Sequence, residues 1–292
     1  MTESLVDVIR AGCRPMEPIP TGYPPRVNPL PGVRAVLFDI YGTMLISGVG
    51  DISLQESGSN EAAFREALIA AGLTAAEAAA ADPAWLQQTI ERHKRERSAT
   101  GVESPEVDIE AVWAGILSLI ELEQGRRANV DVARLAVEYE CRVNPVWPMP
   151  GLVECLERLR AAGLRLGVIS NAQAMTPLLF DALLGRSLEN LGFDPELLFY
   201  SYRFGESKPG PRMFAAAVDA LGRMGISPDE AVFVGNDMLN DVWGAARHQF
   251  RTVLFAGDRR SLRLREGDSR VQNLHADVVI VDSGSLCDCV GV

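Results

Sequence analysis

Long apolar runs are the first feature that this sequence lacks. No stretch approaches the roughly 18–20 apolar residues that a helix needs to cross a bilayer. The N-terminus also lacks the basic region and following apolar stretch that mark a secretory signal peptide. We therefore expect a cytoplasmic protein that makes no contact with a membrane.

Cysteines are few and scattered. The five cysteines are an odd number without regular spacing, which argues against a framework of disulfides. Cys287 and Cys289 form a C-x-C pair, but no His or further Cys stands close to them in the sequence. We therefore expect free thiols at this pair rather than a zinc site.

Positive charge is also scarce. Against 39 Asp and Glu residues there are 28 Lys and Arg, which gives a net charge of −11 and a sequence pI of about 4.9. A surface this acidic disfavours nucleic acid as a partner. A small anionic substrate would need a local cluster of positive charge or a metal ion at its site. The sequence leaves open whether the protein is a monomer or a homodimer.

The sequence does contain a regular alternation of strand-like and helical patterns. Hydrophobic residues make up 47% of the chain, which is enough for a sizeable core. Short apolar runs separated by helical periodicities are typical of a parallel sheet with helices on both faces. We therefore predict an α/β fold with a doubly wound parallel sheet. The predicted strands are residues 34–40, 164–171, 197–204, 231–237, 251–257 and 276–282.

The other segments predict further features of the chain. Residues 1–32 are rich in proline and glycine, which predicts an extended N-terminal arm. Residues 47–148 hold helical patterns without a strand-like run, which predicts a helical cap domain inserted into the core. The core would then comprise residues 33–46 and 149–292. The predicted hinges of the insertion are residues 47–60 and 144–150.

Chemically reactive side chains stand where the predicted strands end. Parallel strands bring their carboxyl ends to one edge of the sheet, so these side chains should converge. A carboxylate nucleophile, hydroxyl groups, an ammonium group and two more carboxylates suit phosphoryl transfer through an aspartyl-phosphate. In strand order the residues are Asp39, Tyr41 and Thr43, then Ser170 and Asn171, then Lys208, and finally Asp237 and Asp241.

Taken in this order, the four motifs resemble those of the haloacid dehalogenase superfamily. Any one of them alone is a weak signal, but four at successive strand ends are specific. The resemblance covers roughly residues 33 to 257. It implies a hydrolase with a Rossmann-like core and a helical cap inserted after the first motif.

The resemblance also implies a role for each residue. Asp39 would attack phosphorus, and Lys208 would neutralise charge on Asp39 and on the transferring group. Thr43 and Ser170 would donate hydrogen bonds to phosphate oxygens, and Asn171 would orient substrate oxygens. The substrate-binding set implied in this way is Tyr41, Thr43, Ser170, Asn171 and Lys208.

A Mg²⁺ ion follows from the same resemblance. Asp237 and Asp241 would hold the ion together with Asp39 and the carbonyl oxygen of Tyr41. Ligation by oxygen atoms alone suits Mg²⁺. On this basis we expect a Mg²⁺-dependent phosphatase of a small phosphorylated metabolite.

Tyr41 departs from the phosphatase pattern. Phosphatases of this superfamily carry a second Asp two residues after the nucleophile, which protonates the leaving alcohol and then activates water. A phenol with an ordinary pKa of about 10 is a poor replacement for that carboxyl group. The 2-haloacid dehalogenases carry a similar D-x-Y-G-T motif, need no general acid and use no metal.

Two alternatives to a phosphatase therefore stay open. One is a metal-independent 2-haloacid dehalogenase, and the other is a non-catalytic binding protein on the same fold. The fourth motif, Gly235-Asn-Asp237-Met-Leu-Asn-Asp241, has the paired acids of the metal-binding form, whereas the dehalogenases have a Ser-Ser-Asn-type pattern there. Without a cation these two carboxylates would repel each other and the nucleophile, so the fourth motif favours the phosphatase.

The predicted cap contributes further candidate residues. Residues 91–97 are dense in charge, and most of them should face solvent. His93 or Arg97 would be placed to reach an anionic substrate. Lys94 is the only lysine of the insertion, and C–P bond cleavage in the superfamily would require such a lysine as a Schiff base.

Two remaining groups of residues are predicted to serve structure rather than chemistry. The apolar helical stripes of the insertion, with Trp85 and Trp113, should form the core of the cap. A basic run near the C-terminus should be a solvated loop or helix, with a contact between subunits as the alternative. Its members are Arg259, Arg260, Arg263 and Arg265.

Overall fold

The computed structural model describes residues 4–49, 60–125 and 129–292. Most of the hinge predicted at residues 47–60 lies outside the described residues. Eight strands occur in the described part of the chain. They are β1 (Ala35–Phe38), β2 (Leu45–Ser47), β3 (Val146–Pro148), β4 (Arg165–Ser170), β5 (Phe193–Tyr200), β6 (Ala231–Gly235), β7 (Arg251–Phe255) and β8 (Val278–Ile280).

Six of these strands form one parallel sheet, as the sequence predicts. Their order is β5-β4-β1-β6-β7-β8, and every neighbouring pair is parallel. The chain builds outward from β1 through β4 to β5, and then crosses back to place β6, β7 and β8 on the other side. The direction of winding therefore reverses beside β1, which is where ligands bind in sheets of this kind.

The strand β1 shows why its sequence is apolar throughout. Successive side chains of a strand point to opposite faces of the sheet. Val36 and Phe38 belong to the core on one face, and Ala35 and Leu37 belong to the core on the other. All four side chains are buried, so the strand has no face on which a polar residue would be tolerated.

Helices cover both faces of the sheet and form the insertion between β2 and β3. The described helices before β3 are α1 (Leu5–Gly12), α2 (Glu61–Ala70), α3 (Ala75–Ala80), α4 (Ala84–Ser98), α5 (Ile109–Gln124) and α6 (Val132–Val143). Those after β3 are α7 (Leu152–Ala161), α8 (Leu178–Leu184), α9 (Ser201–Phe204), α10 (Arg212–Arg223), α11 (Gly244–Ala246) and α12 (Ser283–Val290). None of the helices described is both long enough and apolar enough to cross a membrane.

Helices α2 to α6, hereafter the inserted helices, pack around a core of their own. Trp113 is fully buried at its centre. Phe64 stacks on the Trp113 ring with a centroid distance of 5.6 Å, and Tyr139 meets it edge-on at 5.2 Å. Trp85 packs against the same cluster, so the prediction that both tryptophans serve this core is confirmed.

The inserted helices leave the sheet and return to it through an antiparallel ribbon. Strand β2 pairs with β3, with Leu45 opposite Pro148 and Ser47 opposite Val146. We propose that this ribbon is the boundary between the predicted cap domain and the core.

The segment between α4 and α5 lies over the carboxyl ends of β4 and β5. The backbone N–H of Glu106 donates to the carbonyl of Gly205, which follows α9, at 3.2 Å. The side chain of Gln173, after β4, donates from Nε2 to the carbonyl of Val107 at 2.9 Å. The insertion therefore closes over the edge of the sheet at which the candidate side chains were predicted to meet.

The N-terminal segment differs from the prediction of an extended arm over residues 1–32. Residues 5–12 form helix α1, whose first turn is capped where Ser4 Oγ accepts from the N–H of Asp7 at 3.2 Å. The prolines of this segment begin only at Pro15, so nothing in the preceding residues interrupts a helix. Ile9 is fully buried in the core, which fixes the helix in place.

The rest of the N-terminal segment is extended and runs along the core. Arg26 and Val279 exchange both backbone hydrogen bonds, at 2.9 and 3.0 Å, so this part of the chain pairs with β8. Leu30 donates its N–H to the carbonyl of Cys289 in α12 at 2.7 Å. All five cysteines are buried and carry free thiols.

Truncation of Ile9 tests whether α1 is part of the folded core. Ile9→Ala should lower the free energy of unfolding by about 2–4 kcal/mol, because a fully buried aliphatic side chain is removed and leaves a cavity. Leu122→Ala is the matched control, because Leu122 is 81% exposed and its truncation should change stability by less than about 0.5 kcal/mol. Chemical denaturation of both variants measures the difference. Similar small effects at the two positions would contradict a structural role for α1.

Candidate active site

Asp39 is placed by the end of the central strand. It is the first residue after β1, and its backbone N–H still donates to the carbonyl of Val234 in β6 at 2.8 Å. The chain then turns sharply through Gly42, which has a φ of +83°. A Cβ at Gly42 would also collide with the side chain of Ser261. Both the positive φ and this close approach require glycine in the turn.

Lys208 is the centre of the site. Its Nζ donates to Asp39 Oδ1 at 2.7 Å, to Asp241 Oδ1 at 2.6 Å and to the carbonyl of Ile169 at 3.0 Å. These three acceptors match the three N–H donors of an ammonium group. The structure therefore brings together three of the predicted residues, which come from three different strand ends.

The ammonium of Lys208 is buried but stays charged. Burial by itself lowers the pKa of Lys208, but the charges and hydrogen bonds of Asp241 and Asp39 outweigh it and raise the pKa above its ordinary value. The side chain is only 2% exposed, so water does not screen these ion pairs. Lys208 thus carries a permanent positive charge within hydrogen-bond distance of the candidate nucleophile.

Asp241 lies on the other side of Lys208. Its Oδ2 accepts from the backbone N–H of Asp237 at 2.9 Å. Burial raises the pKa of Asp241 to about 7; Lys208 opposes this shift, and the negative charges of Asp39 and Asp237 add to it. A Cβ at Gly235 would collide with the Asp241 carboxylate, so this glycine makes room for the ion pair.

Asp237 is held by a different cation. Its Oδ1 accepts from the N–H groups of Leu239 and Asn240, at 2.8 and 3.1 Å, and so caps the π-helical turn Met238–Trp243. Its Oδ2 accepts from Nε and Nη2 of Arg265, at 2.9 and 2.6 Å. Asp237 therefore combines a capping role with a buried ion pair.

The prediction of a solvated basic run at residues 259–265 is wrong for two of its arginines. Arg265 lies on Asp237, and Arg260 donates from Nη2 to Asp258 at 2.9 Å. The physical reason is that both carboxylates are buried and each requires a cation close by. No sequence motif identified Arg265. The only signal was its place in a basic run that follows the acidic residues Asp237 and Asp241 in the sequence.

The predicted phosphate-binding side chains fall into two groups. Thr43 Oγ1 donates to Asn236 Oδ1 at 2.9 Å. Asn171 Oδ1 accepts from the backbone N–H of Lys208 at 2.7 Å. These two side chains thus hold the protein itself in shape. Ser170 Oγ is fully buried and has no hydrogen-bond partner among the described residues, which leaves it available to a ligand.

Tyr41 is partly buried, and its hydroxyl is anchored by a hydrogen bond. Its hydroxyl lies 3.0 Å from Thr176 Oγ1, in the loop that follows β4. Burial raises the pKa of the Tyr41 phenol well above its ordinary value, and the charge of Glu140 on α6 adds to the shift. Tyr41 is therefore a neutral phenol at physiological pH, and neither Thr176 nor Glu140 was foreseen from the sequence.

Arg97 comes close to the loop that carries Lys208. Its guanidinium packs against Gly205, where a Cβ would collide with it. Glu106, in the neighbouring segment, accepts from Ser201 Oγ at 2.7 Å. A role for Arg97 or His93 toward a substrate stays a prediction.

The acidic residues of the site suit a hard cation in their chemistry. Carboxylate oxygens are the ligands that Mg²⁺ prefers, and the carboxylates of Asp39, Asp237 and Asp241 outnumber the two cations that contact them. In the described part of the chain, however, no three acidic, His or Cys side chains are grouped so as to hold a metal ion. Arg265 contacts Asp237, one member of the predicted ligand set, which also included Tyr41, and a metal site formed by this set stays a prediction.

Comparisons with known proteins agree on one family. The model of the haloacid dehalogenase-like hydrolases matches residues 33–249 of this chain. Glyceraldehyde 3-phosphate phosphatase of Methanopyrus kandleri is 31% identical over 106 residues, which is 36% of this chain and 42% of that protein. Ribulose-1,5-bisphosphate 5-phosphatase of Halopiger xanaduensis is 30% identical over 144 residues, 49% of this chain and 56% of that protein. The chain thus spans about half the length of these curated relatives.

Solved structures share the fold. A 2-haloacid dehalogenase from Pseudomonas syringae pv. Tomato DC3000 superposes with a TM-score of 0.57 at 20% identity, over 88% of this chain and 97% of that one. A HAD phosphatase from Thermococcus onnurineus superposes with a TM-score of 0.51 at 22% identity, over the same shares of the two chains. Both comparisons confirm the α/β architecture described above.

Removal of the Lys208 charge tests the central ion pairs. Lys208→Met should lower the free energy of unfolding at neutral pH by about 3–5 kcal/mol, because Asp39 and Asp241 would stay buried without their shared cation. Lys94→Met is the matched control, since Lys94 is the only other lysine of the chain and lies on the partly exposed α4. Its effect should stay within about 0.5 kcal/mol. Equal losses in urea denaturation of the two variants would contradict the pairing.

Proposed function

Because the chain belongs to the haloacid dehalogenase-like hydrolases, we propose that it is a Mg²⁺-dependent phosphatase of a small phosphorylated metabolite. The observation that carries this proposal is the ammonium of Lys208, which contacts both Asp39 and Asp241 at hydrogen-bond distance. The curated relatives that match this chain carry the names of phosphatases of small sugar phosphates, which supports the same class of substrate.

The first step that we propose is attack by Asp39 on phosphorus. Lys208 contacts Oδ1, so we assign Oδ2 as the attacking atom. A bond forms between this oxygen and phosphorus, and the ester P–O bond breaks. The electron pair of the broken bond leaves on the ester oxygen, which takes a proton from solvent. The product of this step is an aspartyl-phosphate on Asp39.

Two groups of the site would stabilise the negative charge of the phosphoryl oxygens. Lys208 supplies a buried positive charge, and Ser170 supplies a hydroxyl without a partner among the described residues. Fixed donors in a buried site stabilise developing charge without having to reorient. Asn171 would act on Lys208 rather than on the substrate, because it holds the Lys208 backbone.

We propose that Mg²⁺ is held by Asp39 and Asp241, with Asp237 and the Tyr41 carbonyl. When bound, the ion would offset charge on the phosphoryl oxygens. In the second step water attacks phosphorus, the bond to Asp39 breaks, and the carboxylate is restored. The protons of that water pass to phosphate and solvent, because position 41 offers no carboxylate to take one.

Carbon–halogen hydrolysis is the second candidate function. It is favoured by Tyr41, because a neutral phenol in place of an acid does not hinder departure of a halide. Asp39 would then attack the carbon that bears the halogen, and the halide would leave with the electron pair of the broken bond. Release of chloride from 2-chloropropionate would identify this reaction.

Hydrolysis of para-nitrophenyl phosphate tests the phosphatase proposal directly. The purified protein should release nitrophenolate with Mg²⁺ and lose this activity with excess EDTA. Asp39→Asn should abolish release, because the amide is not a nucleophile. Asp219→Asn is the matched control, since Asp219 is an exposed carboxylate on α10. No release under any condition, with chloride release from the haloacid, would replace the phosphatase by the dehalogenase.

Because position 41 is a tyrosine, we expect the rate of ester hydrolysis to depend strongly on the leaving group. Aryl phosphates should be hydrolysed at least about a hundredfold faster than alkyl phosphates, because position 41 supplies no general acid and general acids contribute factors of this size. Tyr41→Asp should lower the ratio of kcat/KM for aryl phosphates to kcat/KM for alkyl phosphates. Tyr41→Phe should leave this ratio unchanged. Equal rates for the two ester classes in the unchanged protein would show that another residue protonates the leaving group.

A further inference from the structure

The carboxylate of Asp237 has no free acceptor site. An ionised carboxylate offers about four lone-pair sites on its two oxygens. Backbone N–H groups of Leu239 and Asn240 occupy Oδ1, and the guanidinium of Arg265 donates two bonds to Oδ2. The other two acids keep further capacity, because Asp39 receives one bond from Lys208 and Asp241 receives one from Lys208 and one from the Asp237 N–H.

A cation that binds Asp237 must therefore displace Arg265. The two backbone bonds to Oδ1 belong to the cap of the π-helical turn, so their loss would open that turn. The two bonds from the guanidinium end on a side chain that is 27% exposed, whereas the Asp237 side chain is 7% exposed. Oδ2 is thus the atom that a cation reaches, and the guanidinium is the group that moves.

The backbone beside Arg265 is held by hydrogen bonds that do not involve the Arg265 side chain. Two residues earlier, Arg263 accepts from the N–H of Met238 at 2.8 Å and donates its own N–H to Asn236 at 3.0 Å. The chain is therefore pinned beside the site. Arg265 itself has a φ of +55°, a left-handed turn in which the side chain folds back over Asp237. A change of its side-chain rotamer would break the two bonds to Oδ2 of Asp237.

We propose that Arg265 gates the cation site, by holding Oδ2 of Asp237 until a divalent cation displaces it. This inference rests on the proposed Mg²⁺ site and adds a residue that controls its affinity. The guanidinium balances the charge of Asp237 when the cation is absent, so the acidic cluster stays folded. The guanidinium also competes with the cation for Oδ2 of Asp237. The affinity of the site for a cation is therefore lower than it would be without Arg265.

Direct binding of Mn²⁺ tests this competition without any substrate. Mn²⁺ shares the preference of Mg²⁺ for oxygen ligands, and its free ion is counted by electron paramagnetic resonance. Arg265→Met removes the charge and both donors while keeping the length of the side chain. It should bind Mn²⁺ roughly tenfold more tightly than the unchanged protein, because one charge-assisted pair no longer competes. Adding Asp237→Asn to this variant should cancel the gain.

Arg263→Met is the matched control for the loss of one positive charge near the site. Arg263 donates its Nη1 to the carbonyl of Leu262 rather than to an acidic residue. Its replacement should change Mn²⁺ affinity less than about twofold, the effect of remote charge alone. Equal affinities for the unchanged protein and Arg265→Met, or an equal gain in Arg263→Met, would overturn the gate. So would the absence of binding in all of these proteins.

A measurement on the unchanged protein avoids reliance on variants. In a nitrogen-labelled sample, the Nε–H resonance of Arg265 should shift or broaden as Mg²⁺ is added, because its bond to Asp237 is lost. Arg260 is the internal control. Its Nε donates to the two carboxylate oxygens of Asp258, at 3.2 and 3.1 Å, and Asp258 is not one of the proposed cation ligands. An Arg265 resonance that stays unmoved at saturating Mg²⁺ would overturn the proposal. Failure of nitrophenyl phosphate hydrolysis would count against the phosphatase and not against the gate.

Discussion

One buried ammonium group organises the carboxyl edge of the sheet. Lys208 connects Asp39, at the end of β1, with Asp241, beyond the end of β6, and with the carbonyl of Ile169 in β4. Removing any one partner would leave a charge or a carbonyl buried without compensation, which costs several kcal/mol. Gly235 and the Asn171 side chain follow from this constraint, because Gly235 makes room for the Asp241 carboxylate and Asn171 fixes the backbone of the lysine.

The constraint also explains why acids accumulate in the same place. Lys208 offsets only one of the two carboxylates that it contacts, and Asp237 adds a further negative charge that needs its own cation. Arg265 supplies that charge from a loop that carries no motif. A site of this composition can stay folded with side-chain cations alone and can still accept a metal ion, provided that one side chain gives way.

The sheet and the strand-end residues could be predicted from the sequence because both are local signals. Each strand is a short apolar run that ends on a polar residue, and parallel strands must bring those residues to one edge. Other features depend on contacts between distant residues. Arg265 meets Asp237 only through a left-handed turn, 28 positions along the chain, and Asn171 meets the Lys208 backbone 37 positions away. Helix α1 was hidden because the prolines that follow it dominate the composition of its segment.

The pairing of Arg26 with Val279 has a consequence beyond the anchoring of the N-terminal segment. Strand β8 is the last strand of its side of the sheet, and an uncovered last strand presents unpaired N–H and carbonyl groups to any other chain. The extended residues near Arg26 occupy part of that edge through both backbone hydrogen bonds. The N-terminal segment thus blocks the addition of a strand from another molecule at this edge. Its detachment would favour aggregation without changing the residues of the site.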